Sequence, residues 1–345
     1  MLNVIVIFDI KQYIYIPEVL AFMDLLKSLI LLLTSLFFIA EGLSQETLPI
    51  YSDYLSDNVY LVHPSAAGIG NTGKLRFTAR QQWGGIKDAP TLQTISFHNR
   101  FREKAAIGFI LFNDSNGFHS QQGFQGTFAY HLDLNRASIF NQISFGLSLT
   151  AVQNQVDQSQ FFGDPTVAQI IRSDGYFNAD FSVAYHKKGF SSYFTVKNLL
   201  LSAKNNLNNN LEPLDLRNYV LSLGYYFGRD QIFQFEPSMM VQLRESTGER
   251  IVDFNLKVYK DFNKTQLWAA LSYRRGFDSK PIEDLVYVTP IIGVNYNKWM
   301  FSYTYTRQLN DIVLTNYGLH QVSVGVNLFT RKPRASACPN INSSF

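Results

Sequence analysis

The chain has little charge for its length, since Asp, Glu, Lys and Arg make up only 17% of its 345 residues. Ordinary soluble domains carry roughly 25%. Aromatic residues are abundant instead, at 15% of the chain. The net charge of +3 is spread along the chain without a basic cluster, which argues against nucleic-acid binding. The mean hydropathy of -0.06 does not exclude a membrane protein, because a sheet with one lipid-facing and one polar face averages to a value near zero.

Cysteine is nearly absent. The lone Cys338 cannot form an internal disulfide, and no Cys and His spacing typical of a metal site occurs. We therefore predict neither a metal nor any other cofactor.

Catalytic pairs are also scarce. The nearest candidates for a lipase are Ser96 with His98 and Ser120 with His119. Ser96 and His98 would point to the same face of a strand, but such a pair is more typical of polar lining than of a triad, which needs a third, orienting group. We predict that the protein is not an enzyme.

The N-terminal region contains an apolar run typical of a secretory signal. Lys27 precedes about eleven apolar residues from Leu29 to Ile39, and the small residues Gly42 and Ser44 follow. The run is short for a membrane span, so we predict a signal peptide in residues 1–44, cleaved near Ser44 and Gln45, with Met23 as the translation start. The alternative is an uncleaved N-terminal anchor.

After residue 74 the sequence alternates with a period of two and shows no helical stripe. Val252, Phe254 and Leu256 alternate with polar residues, and the same pattern recurs around residues 177–186, 299–306 and 321–328. Such alternation is typical of strands with one apolar and one polar face.

Counting these windows predicts about 14 strands, with about 12 to 16 allowed, each near the ~9–11 residues that a tilted membrane strand needs. Short turns alternate with long polar connections, which indicates an all-β, transmembrane, antiparallel up-and-down β-barrel with short periplasmic turns and long extracellular loops. A secreted β-sandwich or a soluble lipid-binding barrel would also alternate, but would need fewer strands and a polar outer face. Pro237 and Pro290 fall inside strand windows and predict bulges there, or wrong boundaries.

The predicted barrel spans residues 75–330, between a periplasmic leader at residues 45–74 and a C-terminal tail at residues 331–345. The leader has no strand period, so it could plug the lumen or meet a periplasmic partner, and the alternative is that it is disordered. Trp83 follows the first strand, where an interfacial aromatic girdle is expected.

One block near the start of the predicted barrel resembles the PorP/SprF family, outer-membrane proteins of the Bacteroidetes type IX secretion and gliding motility systems. The likeness covers about fifty residues, and such an ordered composite is more specific than a single short motif. His63 stands where the family usually has Asn, and Ser65 and Ala66 replace the common Ala-Tyr. The matching residues, in order, are Tyr51, Tyr54, Pro64, Ala67, Gly68, Gln82, Trp83, Gly85, Ala89, Pro90, Gln93 and Thr94.

The resemblance implies an accessory barrel that works with type IX secretion components on a secreted or surface-anchored, adhesin-like protein. Its predicted partners are therefore those components, that cargo and the lipid bilayer. The alternative is a passive porin or hydrophobic-substrate channel, and a barrel hydrolase comes third. Candidate partner contacts lie in the leader, at the girdle and in the long loops, at Tyr51, Tyr54, Pro64, Trp83, Phe161 and Phe162.

Overall fold

A computed structural model describes residues 54–82, 89–134, 140–157, 171–200, 217–229, 231–245, 248–277, 286–309 and 318–331. These residues all belong to one compact unit, Gly42–Phe345. Within the described residues, no helix is both long enough and apolar enough to cross a membrane.

Fourteen strands make up most of the described chain. They are preceded by two short 3-10 helices, Val59–Leu61 and Pro64–Ala66. The strands are β1 (Gly73–Gln82), β2 (Thr91–Arg100), β3 (Ala105–Asn116), β4 (His119–Asp133), β5 (Asn141–Asp157), β6 (Ile171–Lys187), β7 (Phe190–Lys197), β8 (Asn218–Tyr225), β9 (Gln234–Arg244), β10 (Arg250–Phe262), β11 (Thr265–Phe277), β12 (Val286–Tyr296), β13 (Trp299–Gln308) and β14 (Leu319–Leu328).

The strands close into a barrel. Each strand pairs antiparallel with the next along the chain, and β1 pairs with β14 from Gly73↔Leu328 to Gln82↔Leu319. Closure leaves no unpaired sheet edge, which is the condition for a sheet to stand in lipid. The predicted fold class and strand number are confirmed.

The two faces of the wall differ as the alternation predicts. On β10, Phe254 and Leu256 point outward and are 55% and 47% exposed, whereas Asp253, Asn255 and Lys257 point inward and are buried. The same division holds on β13 and β14. The outer face is therefore apolar and suited to lipid, and the polar face is turned to the lumen.

The rim that holds the start of β1 and the end of β14 also holds the tight turns. Lys188, Asn263 and Asn297 sit in two-residue turns with φ of 55°, 50° and 52°, as hairpin turns of this length require. Most long connections lie at the opposite rim, although the two-residue β3–β4 turn at Gly117 and Phe118 lies there as well. By the rule for such barrels, the rim with the tight turns is periplasmic and the other extracellular.

Neither proline forms a bulge, so that prediction is wrong. Pro237 lies where the β8–β9 ladder is interrupted, and the isolated bridge Phe227↔Phe235 continues the same register beyond it. Pro290 lies in a two-pair gap between β12 and β13, and the pairs before and after that gap also keep one register. The missing proline N–H therefore removes local pairing without inserting an extra residue.

Candidate functional site

Residues 54–72, here called the plug segment, lie inside the barrel. Two apolar clusters join the segment to the wall, and together they involve β3 to β12. The first contains Tyr60, Leu61, Ala66, Ala67 and Ile69 of the segment with Ala106, Ile110, Ala129, Phe140, Ala184 and Tyr193 of the wall. The second contains Tyr54, Leu55 and Val62 with Val220, Met240, Tyr259, Trp268, Ala270 and Ile291.

His63 connects the segment to three strands. Its Nδ1 lies 2.7 Å from Thr195 Oγ1 and its Nε2 lies 2.8 Å from Ser222 Oγ. Thr195 donates to Ser182, whose hydroxyl also contacts Ser65 Oγ at 2.7 Å. Burial, helped by the Lys197 charge, lowers the pKa of His63 to about 3, so the ring is neutral at pH 7. A neutral imidazole between two hydroxyls can donate at one nitrogen and accept at the other.

Side chains of the wall form hydrogen bonds with the backbone of the residues that follow His63. His131 Nε2 donates to the carbonyl of Ala67 at 2.9 Å, and Arg100 Nε donates to that of Gly68 at 2.9 Å. The Gly68 N–H donates to His98 Nδ1 at 3.0 Å. Gly68 has a φ of +69°, and a Cβ there would lie 2.4 Å from the Ala106 side chain. The position therefore requires glycine for conformation as well as space.

Close approach between the plug segment and the wall also depends on Gly146 of β5. A Cβ at this position would lie 2.3 Å from the backbone of Pro64 and Ser65. Any side chain larger than hydrogen would push the segment from the wall, which gives a means to test its docking.

Asp57 forms the strongest electrostatic contact of the plug segment. Its carboxylate accepts from Lys74 Nζ at 2.9 Å and from Arg76 Nη2 at 2.8 Å, and the Arg76 side chain is only 1% exposed. Burial alone would raise the pKa of Asp57, but the adjacent cations outweigh it and lower the pKa to about 2. These two ion pairs connect the plug segment to β1, the strand that directly follows it in the sequence.

Near the extracellular end of the segment, Tyr54 contacts a charged pair of the wall. Its hydroxyl donates to Asp253 Oδ2 at 3.3 Å and accepts from Asn255 Nδ2 at 2.7 Å. Asp253 also receives two hydrogen bonds from Arg274, at 2.7 and 2.8 Å. Burial is the first cause that raises the pKa of Tyr54, so its hydroxyl stays protonated and able to donate.

Two lysines of the wall donate to backbone carbonyls of the segment. Lys257 Nζ lies 3.2 Å from the carbonyl of Leu55 and 3.9 Å from the centre of the Trp268 ring. Lys197 Nζ lies 3.5 Å from the carbonyl of Leu61. Both lysines lie at buried, inward-facing positions of their strands, and their ammonium groups hold the backbone of the segment.

The lumen is filled over the described residues. Each of the fourteen strands has buried inward-facing side chains, among them Arg76 on β1, Val220 on β8 and Gln321 on β14. A cavity of about 60 Å³ remains beside the segment, lined by Asp57 and Tyr60 among others, which is room for a few waters. In this part of the chain, no group of three or more His, Cys, Asp or Glu side chains is placed to hold a metal.

Only two of the six predicted partner-contact residues fall within the described chain. Tyr54 and Pro64 are both buried against the wall, so a partner could reach them only if the plug segment moved. Tyr51, Trp83, Phe161 and Phe162 lie outside the described residues. All six stay predictions.

Ser96 and His98, the candidate catalytic pair, each bond to the plug segment. Ser96 Oγ accepts from Asn58 at 2.9 Å, and His98 accepts from Gly68. The geometry therefore gives these side chains a role in holding the segment.

Sequence reasoning missed the wall residues that hold the segment, such as Arg100, His131, Thr195 and Ser222. Their inward position was predictable from alternation, but their partners were not.

Comparison with known proteins assigns this filled barrel to a family. The model of the family described as type IX secretion system membrane protein PorP/SprF matches residues 43–326. The chain belongs to the PorP/SprF family. The match includes the plug segment and all fourteen strands except the last two residues of β14.

Solved structures similar to this PorP/SprF chain are distant. TodX, a monoaromatic hydrocarbon channel (deltaS2 mutant), has a TM-score of 0.44 and 11% identity, covering 78% of this chain and 92% of that one. BamA from Haemophilus ducreyi lacking POTRA domains 1–3 has a TM-score of 0.41 and 8% identity, covering 75% and 70%. The KdgM porin has a TM-score of 0.34 and 8% identity, covering 73% and 98%. No protein with a curated description matches the sequence.

Family and fold together place the chain in the outer membrane as a protein of type IX secretion. Its apolar outer face meets lipid.

Proposed function

We propose that this barrel binds a secreted or surface-anchored, adhesin-like protein and aids its export or its attachment to the cell surface. The observation that supports a docking role is the filled lumen. A passive porin or hydrophobic-substrate channel needs an open path lined by solvated groups, whereas here the plug segment lies in the lumen and every strand has buried inward-facing side chains.

Two regions are proposed to meet partners. The extracellular connections carry Phe161 and Phe162 among polar residues, and aromatic anchors within a polar surround are typical of binding hot spots. The second region is the leader that includes Tyr51, Tyr54 and Pro64, which would meet secretion components once the plug segment leaves the wall.

We also propose that residues 1–44 are removed near Ser44 and Gln45, leaving residues 45–74 as leader, 75–330 as barrel and 331–345 as tail. The N-terminal sequence of the purified protein checks this, and retention of the run from Leu29 to Ile39 would contradict it.

The function is tested by surface proteomics of a deletion strain complemented with loop variants. Residues 158–170 and 203–215 are replaced by Gly-Ser linkers, which leaves β5 and β6 intact and which surface loops tolerate, and residues 310–317 are replaced in the same way as the control. We expect deletion to remove one surface protein or a small set, the first two replacements to weaken its capture, and the control to retain it. Unchanged surface proteins together with steady ion conductance of the purified barrel would favour the porin instead.

A further inference from the structure

Three arginines stand out on the lipid-facing side of the wall. Arg250 of β10, Arg275 of β11 and Arg307 of β13 all occupy outward positions and are exposed. Each lies within three residues of the extracellular end of its strand. A charged side chain is tolerated at this depth because it lies near the membrane interface, and all three of these side chains carry the same sign.

The register places the three arginines in one sector. Arg250 pairs with Phe277, two residues beyond Arg275 on the neighbouring strand. Arg307 pairs with Val288 on β12, whereas Arg275 pairs with Val286 on that strand. With strands about 4.8 Å apart and a rise of about 3.4 Å per residue, successive arginine Cα atoms lie about 8 and about 12 Å apart. Side chains of this length can converge on one headgroup.

Apolar side chains lie beside and between the arginines among the described residues. The Arg275 guanidinium lies 5.0 Å from the centre of the Phe277 ring, and Val286 and Val288 separate it from Arg307 along the strands.

The other side of the barrel differs. In the extracellular halves of β14 and of β1 to β7, the described outward positions carry neither Lys nor Arg, and residues such as Gln81, Gln93 and Gln153 stand there. The basic sector is therefore confined to one side of the outer wall.

We propose that Arg250, Arg275 and Arg307 bind the phosphate groups of a phosphorylated glycolipid in the outer leaflet of the outer membrane. Guanidinium groups pair with phosphate through two parallel hydrogen bonds, and Arg is favoured over Lys for this reason. The apolar residues between the arginines would meet the acyl chains. A lipid is favoured over a protein ligand because the arginines lie on the same outward face of their strands as the apolar side chains that meet the membrane.

The probe is lipid A with and without its phosphate groups, added to the purified full barrel in non-ionic detergent and followed by native mass spectrometry. The variants are Arg250→Gln with Arg307→Gln, and Arg275→Gln alone. The control is Lys187→Gln with Lys260→Gln, outward cations near the opposite rim. Heat-modifiable gel mobility selects folded protein, and the single variant keeps the test open if the double variant does not fold.

We expect phosphorylated lipid A to bind the double variant at least about tenfold more weakly, because each arginine that is removed takes away charge-assisted hydrogen bonds to phosphate. The control should bind as the unchanged barrel does, and the dephosphorylated form should bind weakly to all proteins. Equal affinity of the arginine variants, an equal loss in the lysine control, or equal binding of the dephosphorylated form would overturn the proposal. Equal, arginine-dependent binding of phosphatidylglycerol would do so too, since it would show a general attraction for anionic lipid.

Discussion

Replacing Asp57 by Asn should loosen the plug segment while leaving the barrel closed. Asp57 holds both Lys74 and Arg76 from within the lumen, so its loss leaves two buried cations without their shared anion. The pKa of Asp57 falls from 3.8 to about 2 on docking, and at 1.36 kcal/mol per pKa unit the ionised carboxylate contributes about 2 kcal/mol. Repulsion between the remaining cations adds to this cost.

Thiol labelling measures how often the segment undocks. Ser56 is buried and its hydroxyl has no hydrogen-bond partner, so Ser56→Cys in a Cys338→Ser background places a probe with little disturbance. With labelling limited by undocking, about 2 kcal/mol corresponds to a rate about 30-fold higher in Asp57→Asn. The matched control is Asp261→Asn, a carboxylate that bonds Gln234 and Gln266 of the wall.

The control should label at the rate of the parent protein. An unchanged rate in Asp57→Asn, or the same increase in both variants, would refute the view that this ion pair holds the segment. Heat-modifiable mobility should stay the same throughout, because the fourteen-strand ladder does not involve the carboxylate.

Three further outcomes are expected. Gly146→Val should raise the same labelling rate because its side chain would overlap the plug segment, whereas Gly126→Val should not, since a Cβ there meets only an aromatic ring at 3.7 Å. Val324→Arg should impair barrel assembly, measured as loss of heat-modifiable gel mobility, because an outward-facing Arg near the bilayer midplane costs ~2–4 kcal/mol. Gln81→Arg is the control and should assemble, because Arg near the interface costs only ~0–1 kcal/mol. The labelling rate, divided by that of a free thiol at the same pH to correct for the thiolate fraction, should rise as pH falls below 6.5. The pKa of docked His63 is lowered to about 3, so protonation of the undocked His63 ring favours undocking in this pH range. At pH 5 this amounts to about 2 kcal/mol, and His63→Gln should remove most of the dependence.

The wall was predictable because its signal is local. On β10 the alternation around Phe254 assigns every side chain to one face, and the burial pattern of Arg250–Phe262 follows that assignment. Ser323 shows the limit of such reasoning. Alternation correctly places the Ser323 side chain on the lumen side, and a water-filled lumen would tolerate a larger side chain there. In the structure, however, Ser323 is only 2% exposed, and its hydroxyl lies 3.0 Å from that of Thr78.

The contents of the lumen were not predictable in the same way. The plug segment has no period, and its partners are scattered along the chain. His63 and Thr195 lie 132 residues apart, and Asn255 and Tyr54 lie 201 apart. A period of two says which face a residue occupies, but the position around the barrel depends on the closed strand order. That order appears only in the folded chain.

The location of the family motif bears on how such a barrel could select a partner. Pro64, Ala67 and Gly68, on which the family resemblance partly rests, are buried against the wall, and the Gly68 backbone bonds His98 and Arg100. Their direct physical role in this chain is therefore to seat the plug segment. Choice of cargo would then depend on the extracellular connections, where sequence can vary without disturbing the wall. Changes in the motif should consequently alter lumen closure for every cargo alike, whereas exchange of the loops should alter which cargo is held while the lumen stays closed.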